Sequence, residues 1–106
     1  MARVYWIYAI RLSDEVLTRR RFLARNPDYR PGKPCYYVGS SVYPPKKRFE
    51  MHKNGHKSSW WVREFGQHVA TKKCFRIEVE NAEERDGSER AYAEELRAMG
   101  YGVWQN

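Results

Sequence analysis

The sequence predicts a small α/β (α+β) domain, a three-stranded antiparallel sheet flanked by helices in the order ββααβα. Three observations carry this. Segments rich in β-branched and aromatic residues recur at three places and read as strands. Apolar residues late in the chain recur at helical spacing. The 106 residues suffice for one compact domain and little more. Apolar residues make up 42% of the chain, enough to bury a core, and the 15% aromatic share supplies large area per residue.

Val4 to Leu12 (VYWIYAIRL) reads as the first strand. Alternation places Tyr8 on one face with Trp6 and Ile10, and Tyr5 on the other. Ser13 to Pro34 reads as an insert within a single domain spanning residues 1–106. Ser13, followed by Asp14-Glu15, is a plausible helix start, with Val16, Leu17, Phe22 and Leu23 as its anchors. Asn26-Pro27 and Arg30-Pro31-Gly32-Lys33-Pro34 break it. Cys35 to Val42 (CYYVGSSV) is the second strand, with Tyr36 and Tyr37 on opposite faces.

Pro44-Pro45 opens a helix to Lys53, because proline is tolerated in a first turn, and Asn54-Gly55 stops it. Ser58 or Ser59 caps a second helix through Phe65, which Gly66 ends. Cys74 to Val79 (CFRIEV) alternates as the third strand. The last helix starts at Ala82 or Ser88 and runs to Met99, with Gly100 as its stop. Tyr92, Leu96 and Met99 form its expected buried stripe. Val103-Trp104 is a candidate short terminal strand.

The formal net charge is +7, and the basic residues are unevenly placed. Arg19-Arg20-Arg21, Arg25, Arg30, Lys33, Lys46-Lys47-Arg48, Lys53 and Lys57 fall in the first 57 positions, whereas Glu78 to Glu95 is mostly acidic. A basic half opposite an acidic helix suggests a polyanion-binding face. An ordinary basic surface accounts for the charge equally simply. No apolar run reaches the ~18 residues that a membrane helix needs, and membrane-surface binding lacks an amphipathic helix. The first residues read directly as strand, unlike a signal peptide, so the expected location is the cytoplasm. Cys35 and Cys74 lack any paired metal-ligand spacing and read as buried thiols.

Five features then stand in one order. A strand reads Ile7-Tyr8-Ala9-Ile10, and a second reads Tyr37-Val38-Gly39-Ser40-Ser41. A helix carries Arg48 and His52 at i, i+4, hence on one face. A late helix supplies a carboxylate, and Asn106 follows it. This set resembles the GIY-YIG nuclease superfamily over nearly the whole chain apart from the 13–34 insert. The first motif is degenerate, with Trp6 where the family often has glycine; the second has valine for isoleucine.

The resemblance implies an endonuclease that hydrolyses DNA phosphodiesters with one Mg²⁺ (or Mn²⁺) ion. The residue types suit that chemistry. Such hydrolysis needs an activated water and a counter-charge for the phosphate. Mg²⁺ takes oxygen ligands and keeps several waters, so one carboxylate can hold it beside a substrate phosphate. By resemblance, Tyr8 and Tyr37 position or activate the water, Arg48 stabilises phosphate charge, and His52 assists proton transfer. Asn106 would support the site from behind, although a terminal residue is prone to fray.

The metal ligand has two candidates. Glu89 lies three residues before Tyr92 and seven before Leu96, which turns it inward. Glu94 lies two before Leu96, about 200° round the helix, and should face water. Its 12-residue separation from Asn106 is nonetheless common in the family. A ligand must point at the sheet, which selects Glu89.

Taken singly, each residue has a plainer reading. Tyrosines favour strands, Arg48 belongs to a solvated Lys-Lys-Arg run, and His52 sits where a histidine meets a helix dipole. The joint order is what points to a site. Lys46, Lys47, Lys53 and Lys57 are the expected nucleic-acid contacts, and Trp60 or Trp61 would stack on bases, with at least one in the core. The alternative function is a catalytically silent nucleic-acid-binding module of the same fold. Specificity would come from the insert with Arg19–Arg21, from a partner or from a second copy of the chain, unless it is low.

Overall fold

The computed structural model describes residues 2–106. It is a compact α+β fold with a mixed sheet of five strands and four α-helices: β1 (Arg3–Leu12), α1 (Arg20–Ala24), β2 (Cys35–Ser41), α2 (Pro45–Lys53), α3 (Trp60–Phe65), β3 (Gly66–Val69), β4 (Phe75–Val79), α4 (Ala82–Ala98) and β5 (Gly102–Gln105). Among the described residues, no helix is long and apolar enough to cross a membrane.

β1 is the axis of the sheet. One edge pairs antiparallel with β2, from Trp6↔Ser41 to Leu12↔Cys35. The other edge is shared: β4 takes Arg3 to Ile7, and β3 takes Ile10 to Leu12, both antiparallel. β5 then adds parallel to β2, from Cys35↔Gly102 to Val38↔Gln105. The expected three-stranded antiparallel sheet is therefore corrected to five strands in a mixed sheet. The two extra strands are only four residues each. β5 covers the candidate terminal strand at Val103-Trp104, whereas β3 is a strand through long-range pairing rather than propensity. The long α4 connection allows β5 to return parallel to β2.

Alternation along β1 and β2 divides the core. Tyr8, Ile10, Leu12 and Tyr37 face a cluster with Phe22, Trp61, Val62, Phe65 and Trp104, while Ile7, Ala9, Tyr36 and Val38 face Ala93, Leu96 and Val103. Thus α4 covers one face of the sheet, and α1 and α3 cover the other. The α4 stripe differs from expectation at its end. Ala93 and Leu96 are buried, but Met99 lies beyond the helix and is 53% exposed.

Residues 13–34 are anchored in the core by Val16, Phe22 and Asn26, although most of the segment is exposed. Ser13 caps a 3-10 turn over Asp14–Thr18 by accepting from the Glu15 amide. Val16 and Phe22 are fully buried. Asn26 binds β5 from both sides of its amide: Nδ2 donates to the carbonyls of Phe22 and Val103, and Oδ1 accepts from the Val103 amide at 2.8 Å. Gly102 is required here, because a Cβ would stand 2.8 Å from the Phe22 ring. Cys35 is buried, and burial pushes its thiol up to about 11; Cys74 is half-buried, and both are free.

Candidate active site

β5 ends at Gln105 opposite Val38, so Gly39 and Ser40 of β2 continue past it. Side chains from both faces of the sheet meet at this step. The result is a cleft of about 680 Å³, lined by Tyr8, Tyr37, Arg48, Glu89 and Asn106 among others.

Tyr8 enters from β1. Its register partner is Gly39, and a Cβ built there would lie 2.5 Å from Tyr8 Oη and 2.6 Å from Cζ. The glycine therefore makes room for the phenol to lie across the neighbouring strand. Tyr8 Oη is 2.8 Å from His52 Nε2. On the far side of the ring, the Ser59 amide donates to His52 Nδ1 at 3.0 Å. A backbone N–H can only donate, so Nδ1 keeps its lone pair and the proton of the neutral ring sits on Nε2. His52 consequently donates to Tyr8, leaving the Tyr8 hydroxyl hydrogen free to point elsewhere. Burial, then the charges of Arg48 and Arg63, push the His52 pKa down to about 4.

The role expected of His52 is thereby narrowed. As a neutral ring with both nitrogens engaged, it orders Tyr8 and would support a phenolate; it has no free lone pair with which to take a proton. Burial pushes the Tyr8 phenol well above its ordinary value, with Tyr37 adding to the rise and Arg48 opposing it. Burial, followed by the Glu89 charge, pushes Tyr37 up to about 12, again against Arg48. The Tyr8 and Tyr37 rings lie 6.2 Å apart, and Tyr37 meets the His52 ring edge-on at 5.5 Å.

Arg48, one helical turn before His52 on α2, fixes the following loop. It donates to the carbonyls of His56 at 3.0 Å and Lys57 at 2.6 Å. Lys57 stands in the left-handed region at φ 44°, a conformation that costs energy for a side chain bearing a Cβ. The guanidinium holds that loop at the cleft and lies within reach of the Tyr8 phenol, whose upward shift it opposes.

Glu89 comes from α4, as its phase on the helix required. Its carboxylate accepts from Ser40 Oγ at 2.6 Å and from Gln105 Nε2 at 2.9 Å. Glu94 is mostly exposed and pairs with Arg97 away from the cleft. Asn106 is anchored: Oδ1 accepts from Trp104 Nε1 at 3.0 Å, and Nδ2 donates to Tyr37 Oη at 3.2 Å.

The lysines divide. Lys57 lines the cleft. Lys46 lines an apolar groove with Trp6 and Pro44, Lys53 donates to the Arg63 carbonyl at 3.2 Å, and Lys47 is exposed on α2 outside the cleft lining. Sequence reasoning missed Ser40, Arg85, Arg90 and Gln105, which also line it. Arg85 stands four residues before Glu89, so helical phase alone could have found it. No family model matches this chain, and no curated protein or solved structure does.

Proposed function

We propose that the chain is a metal-dependent endonuclease that hydrolyses phosphodiester bonds, DNA foremost, at the cleft between β1, β2, α2 and α4. Kinship with the GIY-YIG nucleases is part of the same proposal. One observation carries it: Tyr8, Tyr37, Arg48, Glu89 and Asn106, picked from scattered positions, line a single cleft.

The donors there fit a hard cation. Glu89 and Ser40 offer oxygen, and Asp86 is a second carboxylate in the lining. A Mg²⁺ ion would rest on Glu89 and fill its shell with water and substrate phosphate. When bound, it would supply Lewis-acid polarisation and offset the Glu89 charge that raises Tyr37. The protein's own groups would do the rest. Arg48 would donate to the scissile phosphate, Tyr8 would orient the water with His52 Nε2–H holding the phenol oxygen, and Asn106 would hold Tyr37 in place.

A plasmid-nicking assay tests this. Nicked product is expected with Mg²⁺ and none with EDTA, and Arg48→Ala should slow nicking by about a hundredfold or more. The upward-shifted phenols favour a second reading, a silent nucleic-acid-binding module. Salt-sensitive binding without metal-dependent cleavage of any DNA or RNA would select that module. Absence of such binding would sink both.

A further inference from the structure

Outside the cleft, Arg19, Arg20 and Arg21 share a shallow groove of about 260 Å³ with Trp60 and Trp61. Among the described residues, none of the three arginines has a carboxylate within ion-pair distance. Arg19 lies instead over the rings of Trp60 and Phe65, at 5.7 and 5.5 Å, and Arg21 over Trp104 at 5.6 Å. The two indoles differ. Trp61 is in the core, tilted against Trp104 with ring centroids 4.4 Å apart, whereas Trp60 is 42% exposed.

Side-chain contacts through Trp104 link the groove to the cleft. Arg25 stacks on Trp104 at 4.0 Å and donates Nη1–H to the Gln105 carbonyl at 2.8 Å. Gln105 and Asn106 line the cleft itself. A run of unpaired arginines beside an exposed indole suits a polyanion whose repeating units carry a π-face. Duplex DNA offers the phosphates, but its base faces are covered by their stacked neighbours. Apart from the end pair of a duplex, only an unpaired base can use Trp60.

We propose that this Arg–Trp ledge holds a single-stranded segment flanking the phosphodiester in the cleft, with Trp60 stacked on an unpaired base and Arg19–Arg21 on its phosphates. The inference rests on the reading of the cleft as a phosphodiester site, and it narrows the substrate to nucleic acid with an unpaired flank.

The test uses the full chain in EDTA, so that binding is read without cleavage. Fluorescence anisotropy compares a blunt duplex with the same duplex carrying a single-stranded tail of about ten nucleotides. The tailed probe should bind roughly tenfold tighter, and Trp60→Ala should erase that preference while leaving blunt binding unchanged. The exposed pair Arg20→Gln/Arg21→Gln should weaken tailed binding and flatten its salt dependence. This double variant carries the test if Trp60→Ala is poorly folded. Equal wild-type affinity for the two probes, or a preference intact in both variants, would overturn the ledge alone. Displacement of the tail by polyglutamate as effectively as by single-stranded DNA would also overturn it, pointing to an acidic protein partner. Failure to bind either probe would overturn the reading of the cleft as well.

Discussion

His52 donates Nε2–H to Tyr8 Oη across 2.8 Å, in a tautomer set by the Ser59 amide on the opposite nitrogen. Protonating His52 would put a hydrogen on Nδ1 against the Ser59 N–H, two donors facing each other. Burial, then the charges of Arg48 and Arg63, hold its folded pKa at about 4, below the usual 6.5. The unfolded chain therefore binds this proton first, and stability falls as pH drops. The contribution is complete above about pH 6.5 and is lost between about 6.5 and 4, at no more than about 1.4 kcal/mol per pH unit. Urea midpoints across that window should fall more steeply for the wild type than for His52→Gln. Parallel slopes would show that the ring is not held neutral.

The Gly39–Tyr8 contact makes a second test. A Cβ 2.5 Å from Tyr8 Oη cannot be absorbed by a side chain that is buried and bonded to His52. Gly39→Ala is expected to cost about 1–3 kcal/mol in denaturant unfolding. Displacing the phenol should also slow nicking by about a hundredfold. Wild-type stability together with wild-type cleavage would refute the close approach.

Glu89 and Glu94 separate the two ways of choosing a metal ligand. Glu89→Gln should remove Mg²⁺-dependent nicking while leaving the fold intact, because an amide still offers Ser40 an acceptor. Glu94→Gln, which removes the mostly exposed carboxylate partner of Arg97, should keep cleavage near the wild-type rate. Isothermal titration with Mg²⁺ gives the same comparison without turnover. The reverse pattern would restore the spacing argument and exclude Glu89.

Asn26 is the test of how the 13–34 segment is held. Its amide satisfies the Val103 amide and the carbonyls of Phe22 and Val103, and Arg97 Nε also donates to it at 3.3 Å. Asn26→Ala leaves the buried Val103 amide without that partner and should cost about 3 kcal/mol, read from thermal or urea unfolding. A loss below about 0.5 kcal/mol would return the segment to the status of a surface loop.

β1 and β2 were legible from their β-branched and aromatic residues and β4 from its alternation, all local signals. The same holds for the inward phase of Glu89, which follows from Tyr92 and Leu96 alone. β3 was not legible. Gly66-Gln67-His68-Val69 has no pattern of its own and is a strand only because β1 extends to Leu12 beside it. Arginine and proline content made residues 13–34 look like surface, and nothing short-range reveals that Asn26 meets Val103, 77 positions away. Among the lysines, charge said nothing about direction; the loop that Arg48 holds brings Lys57 to the cleft, while Lys46 and Lys53 on α2 point elsewhere.

Phe22 and Asn26 lock the segment that carries the arginine run onto the strand that leads to Asn106. Ledge and cleft therefore belong to one cooperative opening unit. Slow amide exchange in β5 should extend to α1 and vanish from both together. Neither is a module that can be transplanted without the other.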